Sequence, residues 1–262
     1  MSITIKTQEE IEKMRIAGKL AADVLEMIAP HVKAGVTTEQ LDEICAKYTE
    51  EVQEAISAPL NYHGFPKSIC TSINHVVCHG IPDNTELKDG DIVNIDITVI
   101  KDGYHGDTSK MFLIGDVSPE DARLCRITQE ALYTGIKKVK PGVAFGEIGA
   151  AIQKFIKKSG RFSIVKDYCG HGIGQEFHEE PQIVHYKNND TTKMQEGMCF
   201  TIEPMINLGR GKTVLDKDDK WTVYTIDGKK SAQWEHTLVV TKTGCEILTL
   251  RKDDTIPRVL HN

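Results

Sequence analysis

Gly90-Asp91-Ile92-Val93-Asn94-Ile95-Asp96 and Gly197-Met198-Cys199-Phe200-Thr201-Ile202-Glu203 follow one pattern, a glycine and then, after a gap of equal length, an isoleucine and an acid. The two stretches lie 107 positions apart, as do Gly35-Val36 and Gly142-Val143. Upstream of the latter pairs stand matching dipeptides, Arg15-Ile16 and Arg126-Ile127. Short matches arise by chance, but two landmarks sharing one offset, in matching contexts, favour an internal duplication. His79-Gly80-Ile81 and His171-Gly172-Ile173 also echo each other, at an offset of 92.

The contexts can be read locally. Thr7 and Glu10 have capping-box spacing, and Ile11, Met14, Leu20, Val24, Leu25 and Ile28 recur at helical intervals. Thr37 with Gln40 repeats the cap before a second helix, predicted to run to about residue 56. Ser118-Pro119-Glu120-Asp121 opens a third helix, which Pro141-Gly142 ends, and a fourth runs from about Gly146 to Lys158. Two copies are too few for a stacked repeat. The expectation is one α+β domain over residues 1–262, with halves of about 1–115 and 116–262 and the site at their junction.

Composition narrows the function. The 262 residues carry 32 Lys+Arg against 38 Asp+Glu, net −6, which excludes a nucleic-acid binder working by bulk charge. No apolar run reaches the roughly 20 residues of a membrane span, and the start lacks a secretory signal's apolar stretch. Cys45, Cys70, Cys78, Cys125, Cys169, Cys199 and Cys245 are odd in number and form no C-x-x-C pair. They read as reduced thiols of a cytoplasmic protein.

Within the first stretch, Val93, Ile95, Ile97 and Val99 line one strand face, and Asn94, Asp96 and Thr98 the other. Lys101-Asp102-Gly103 is a hairpin signal, so Asp107 returns on the next strand. A turn centred on 101/102 sets Asp96 opposite Asp107; one centred on 102/103 sets Asp96 opposite Ser109, with Asp107 diagonal. Either register puts both carboxylates on one face, where they repel unless a cation or proton intervenes. A solvated sheet face is the plainer alternative for one acid, but the duplication repeats it as Glu203. His171 between glycines and Glu235 in a β-rich run fit the same picture. Singly, His171 fits a loop histidine bonded to backbone equally well, and Glu235 is more often a surface acid. Four carboxylates and an imidazole suit two divalent cations such as Mn, Fe, Co or Zn, which leave room for a bridging hydroxide nucleophile.

Six segments in order carry a resemblance: Val77-Cys78-His79-Gly80-Ile81-Pro82, Asp91 to Asp96, His105-Gly106-Asp107-Thr108, Gly170-His171-Gly172-Ile173-Gly174, Phe200-Thr201-Ile202-Glu203-Pro204 and Glu235-His236-Thr237. Through them the chain resembles, over nearly its whole length, the type I methionine aminopeptidases of the short bacterial kind. The resemblance implies a pita-bread fold of two pseudo-twofold halves. It implies that Asp96 holds one metal, His171 and Glu203 the other, and that Asp107 and Glu235 bridge both. It makes His79 and His178 contacts of the substrate near the scissile amide, and Glu203 a proton shuttle as well as a ligand. On the residues alone, His178 would be a packed core histidine. The resemblance places a methionine pocket at Tyr62, Phe65, Cys70, Phe177 and Trp221, edged by Pro59, and a monovalent cation near Asn74, Val76 and Ser231. Pro59, Phe65 and Trp234 stand where such enzymes commonly have cysteine, tyrosine and tyrosine.

The implied activity is removal of an initiator methionine when the second residue is small, in the cytoplasm, by a monomer. By that specificity Met1, followed by Ser2, is itself an expected substrate. Xaa-Pro dipeptidases and aminopeptidases share the ligands, so the metal site does not separate them; they usually carry an extra N-terminal domain, whereas the first helix here begins by residue 8. A non-catalytic binding module would typically have lost ligands. The implied partners are nascent polypeptide N-termini, with no membrane and no sequence-specific nucleic acid. Arg210, Lys212, Lys217, Lys220, Lys229 and Lys230, interleaved with Asp216, Asp218 and Asp219, form either a solvated loop or a transient ribosome contact.

Overall fold

The computed structural model describes residues 3–261. Met1 and Ser2, the expected self-processing site, lie outside the described residues. Helix α1 spans Gln8–Ile28 and closes the capping box foreseen at Thr7 and Glu10. Helix α2, Thr38–Lys47, does the same with Thr37 and Gln40. Helices α3, Pro119–Ile136, and α4, Gly146–Ser159, complete the second pair.

The second helix is shorter than its sequence suggests. It loosens into a π-helical turn at Tyr48–Val52, and Ile56–Ser57 then pairs as a strand with Ile100 and Val99. Gln53 donates its side-chain amide to the Leu20 carbonyl of α1, and Glu54 takes a positive φ of 49°. Sheet pairing here overrides helical continuation. The third helix likewise stops at Ile136, ahead of Pro141.

The hairpin strands Ile92–Lys101 and Tyr104–Leu113 pair along their whole length. The opposite edge of Ile92–Lys101 takes Ile56–Ser57 and Cys70–Ile73 in succession. A second, six-stranded antiparallel sheet runs in the order Val259–His261, Gly244–Ile247, His236–Val240, Cys199–Ile202, Gly170–Gly172, Glu179–Ile183. Val93, Ile95, Ile97 and Val99 pack into one core with α1 and α2, while α3 and α4 pack with Phe200, Ile202 and Leu238 into another. The alternate residues Asp96 and Thr98 are thereby turned away from the helices, toward the junction of the halves.

Backbone bonds repeat at the offset of 107. Gly35 N–H donates to Leu87 and Gly142 N–H to Met194; Leu87 N–H donates to Val36 and Met194 N–H to Val143. The isolated bridge Thr37–Glu86 has its counterpart in Ala144–Lys193. Gly90 and Gly197 share φ values of 87° and 88°. The histidine echo stands outside this frame: His79 sits in a loop at φ 57°, whereas His171 lies within a strand.

Candidate metal centre

The register of the hairpin is the one centred on 102/103. Asp96 faces Ser109, and Asp107 faces Thr98, whose hydroxyl donates to Asp107 Oδ1 at 2.8 Å. The two acids are therefore diagonal on one face. From the second half, His171 Nε2 stands 3.6 Å from both Asp107 Oδ2 and Glu203 Oε1. Its Nδ1 lies 2.9 Å from the Gly172 carbonyl and donates there, which leaves Nε2 facing carboxylate oxygens, its lone pair available to a cation once its proton is displaced. Ligand atoms of Asp107, His171 and Glu235 all lie within 4.8 Å of one another.

The electrostatics of this cluster ask for positive charge. Burial, reinforced by Asp107 and Glu203, pushes the Asp96 carboxyl well above its ordinary range. Burial, with the charges of Asp107, Glu203 and Asp96, does the same to Glu235. Glu203 is raised by burial to about 7, against the lowering influence of His171. For His171, burial opposes protonation, but the hydrogen bond to Asp107 and the charges of Glu203 and Asp107 together outweigh it and raise its pKa. Asp96 Oδ1 is buried with no hydrogen-bond partner among the described residues. A buried carboxylate oxygen without a donor, beside three more acids and an imidazole lone pair, is a donor set that fits divalent metal.

The supporting residues were not evident from the sequence. Thr201 Oγ1 and Gln233 Nε2 donate to the two oxygens of Glu203, at 2.8 and 3.1 Å. The Glu203 N–H donates to His185 Nε2, a buried histidine whose pKa is lowered by burial to about 3. Thr108 Oγ1 donates to the Glu235 carbonyl at 2.7 Å, and Asp107 N–H to Thr237 Oγ1 at 3.1 Å. Trp234 donates its indole N–H to the Cys125 carbonyl at 3.0 Å, anchoring Glu235 to α3. The one available sequence signal was the alternation that sets Thr98 beside Asp96 and Thr201 beside Glu203.

A cleft of about 460 Å³ opens over the acids, lined by Tyr62, Phe65, Cys70, His79, Phe177, His178 and Trp221, with Pro59 among them. Cys70 stands across the sheet from Asp96. Phe65 and Trp221 meet edge to face at 5.2 Å, and Asp219 Oδ1 accepts the Trp221 N–H at 2.7 Å. Tyr62 Oη lies 2.7 Å from His178 Nδ1, and Phe177 stacks on the His178 ring at 4.4 Å. Burial lowers the pKa of His79 and brings that of His178 down to about 4, so both rings are neutral near pH 7. The residues foreseen as ligands and as substrate contacts thus line one cleft. Of the expected cation residues, Ser231 donates its N–H to the Asn74 carbonyl at 2.8 Å and its Oγ is buried without a partner among the described residues, while Val76 pairs with Tyr224.

The sequence pattern of metallopeptidase family M24 matches residues 12–242. The chain belongs to metallopeptidase family M24. Its M24 relatives include the methionine aminopeptidase of Escherichia coli (strain K12), 62% identical over 262 residues, with 99% of this chain and 98% of that one covered. The methionine aminopeptidase of Salmonella typhimurium is 63% identical at the same coverage. The crystal structure of methionine aminopeptidase from Rickettsia prowazekii superposes with a TM-score of 0.93 at 54% identity, covering 95% of this chain and all of that one. The fold is the pita-bread fold of these M24 structures, and the resemblance carried by the six motifs holds along the chain. Prolidase from Pyrococcus furiosus shares the fold, with a TM-score of 0.74 at 24% identity, but this chain covers only 66% of its length. As an M24 member the chain is a metal-dependent peptidase. No helix among the described residues is long and apolar enough to cross a membrane, and the seven cysteines are free.

Proposed function

We propose that the chain is a methionine aminopeptidase that removes the initiator methionine of nascent chains when the second residue is small, acting in the cytoplasm as a monomer. The observation that carries the reading is one cleft with two chemistries, a carboxylate–imidazole cage against a wall of Tyr62, Phe65, Cys70, Phe177 and Trp221. Aromatic and sulfur surface suits an unbranched thioether, being apolar and polarizable.

Asp96 would hold one divalent ion, His171 and Glu203 the other, and Asp107 and Glu235 both. Bound there, two ions of Co, Mn, Fe or Zn would activate a shared water and polarise the scissile carbonyl. The protein's own groups do the rest. Tyr62 Oη lies 2.7 Å from His178 Nδ1; with the phenol donating there, Nε2–H would be free to donate to the substrate carbonyl. His79, neutral beside Tyr168 and Trp221, contacts the peptide near the amide being cleaved. Glu203, a carboxylate lining the cleft, would also carry a proton to the leaving amine. The buried, unpartnered Ser231 Oγ, whose residue donates its N–H to the Asn74 carbonyl, supports a monovalent cation near Asn74, Val76 and Ser231.

The test is hydrolysis of Met-Ala-Ser against Ala-Pro peptides with added Mn(II), Co(II) or Fe(II). Preferential release of methionine is expected; preferential Ala-Pro cleavage would point to the Xaa-Pro enzymes instead. For the ribosome contact, Arg210, Lys212, Lys217, Lys220 and Lys229 are exposed, whereas Lys230 is tied to Asp121 and the Gly90 carbonyl. Charge reversal of the five exposed residues should abolish cosedimentation with ribosomes; unchanged cosedimentation would overturn that contact.

A further inference from the structure

Lys6 is a buried lysine ahead of α1. Its side chain is 2% exposed, and its ammonium lies 2.5 Å from Glu179 Oε2. The backbone beneath it is fixed by the second half of the fold: Lys6 N–H donates to the Gly197 carbonyl at 2.8 Å, and Ile5 bridges Met198. The far end reaches the loop that carries Phe177 and His178. Glu179 Oε1 accepts the Glu176 N–H at 3.4 Å, so one carboxylate ties the lysine to the loop backbone. Gly174 lies so close to the lysine stem that an added Cβ would stand 2.5 Å from Lys6 Cε.

This loop is a partition. On one side is the substrate cleft; on the other a second cleft of about 290 Å³, bounded by Thr4, Glu10, Tyr104, Gln175 and Glu176, shares His178, Glu179 and Glu180 with the first. A wall with space on both faces has little packing to hold it. The inner face rests on His105, whose ring stacks on Phe177 at 5.5 Å and whose N–H donates to the Gly174 carbonyl at 2.9 Å. The outer face rests on Lys6.

We propose that Lys6 is a positioning residue: through Glu179 it holds the loop from Gly174 to Glu179 so that Phe177 and His178 meet the methionyl end of the peptide. The inference rests on the aminopeptidase reading. The cost of the buried cation is repaid in loop geometry, because a charge removed from water demands its partner in one place. A small displacement of a substrate-aligning group is enough to lower turnover measurably.

The test uses the full-length, Mn(II)-loaded protein and Met-Ala-Ser. K6M should lower kcat/KM about tenfold, chiefly by raising KM, and K6R should recover most of the loss. In an H178A background, adding K6M should cost less than about twofold, because its effect runs through His178. Mn(II) affinity measured by calorimetry should be unchanged, since the ligands are not on this loop. If K6M does not fold, E179Q, which keeps size and removes the charge, carries the same expectations. Wild-type kinetics in K6M, an undiminished effect in H178A, or a parallel loss of Mn(II) affinity would each overturn the proposal. Absence of wild-type turnover would overturn the aminopeptidase reading instead. The positioning role is then read by NMR from the His178 ring signal, which should shift in K6M and whose constancy would overturn it.

Discussion

Thr98 and Asp107 are joined across the hairpin by a 2.8 Å hydrogen bond, and that bond exists because the register pairs them directly. The alternative register would have set Asp107 opposite Asp96 and left Thr98 without this role. The hydroxyl fixes one oxygen of Asp107 and leaves Oδ2, the atom near His171, for other use. Thr98→Val should weaken Mn(II) binding by roughly 10–100-fold in calorimetry, while Thr98→Ser should stay near wild type. Equal affinities for the three proteins would remove Thr98 from the account.

Four acids crowded at one site make the metal-free protein carry unrelieved repulsion. Divalent metal at about 100 times its dissociation constant should stabilise the fold by about 2.7 kcal/mol, raising Tm by roughly 5–10 °C. Asp96→Asn should melt higher than wild type without metal, because it removes a buried acid that must either repel its neighbours or take up a proton. It should also lose most of the metal-dependent increment. Differential scanning calorimetry with and without chelator decides; an Asp96→Asn protein less stable than metal-free wild type would contradict the repulsion argument.

Acid-site protonation sets a pH dependence whose sign follows from the raised values. Asp96, Glu203 and Glu235 hold protons more tightly folded than unfolded. Their contribution to stability is therefore complete below the ordinary carboxylate pKa. For Glu203 it is lost as pH rises from about 4.5 toward about 7. Metal-free protein should lose stability across that window relative to Glu203→Gln, and Mn(II) affinity should rise across it as protons cease to compete. Melting curves at pH 5 and pH 7.5 check the first, and calorimetry in buffers of different ionisation enthalpy counts the released protons. A flat difference between wild type and Glu203→Gln would rule out this source of pH dependence.

Behind Glu235, Arg251 is wholly enclosed. Its Nη1 donates to Thr108 Oγ1 at 2.7 Å and to the Ser109 carbonyl at 3.0 Å, and its Nε pairs with Asp254 at 3.2 Å. Thr108 in turn donates to the Glu235 carbonyl, so one guanidinium steadies the backbone beside both expected bridging ligands. Arg251→Met should cost about 3–5 kcal/mol in urea unfolding, because it takes the guanidinium countercharge from the buried Asp254. A loss under about 1 kcal/mol would mean that the network rearranges freely.

In the cleft proposed to take methionine, Trp221 closes edge-on against Phe65 at 5.2 Å. Trp221→Ala should raise KM for Met-Ala-Ser about tenfold with a smaller change in kcat, since it removes uniform apolar contact and no reacting group. Phe65→Tyr should change KM less than twofold or so, as the ring pair is kept. Steady-state kinetics of both variants separates pocket packing from chemistry. A fall in kcat with unchanged KM would place Trp221 elsewhere in the mechanism.

Much of this was written into short spans of the chain. Capping boxes at Thr7 and Thr37, the strand alternation around Asp96 and the 107-residue repeat are local or periodic signals, and each is found where it was expected. The five expected ligand residues could be named in advance because chemistry restricts metal ligands to few residue types and the six motifs present them in order; the fold brings all five to one cleft. The end of α2, the hairpin register and the supporting bonds were not legible. Ile56 continues a helical pattern until strand Ile92–Lys101 offers it a pairing edge, and both registers satisfy the same alternation.

The sequence by itself determined the duplicated α+β architecture, the acids facing away from the helices and the family. The tertiary structure alone decided which atoms meet: Tyr62 with His178, Lys6 with Glu179, and Trp234 with the carbonyl of Cys125. The physical reason is separation along the chain. Periodicity reports which face a residue takes, whereas a hydrogen bond between residues 62 and 178, or 6 and 179, depends on distances that exist only after the two halves have closed on each other.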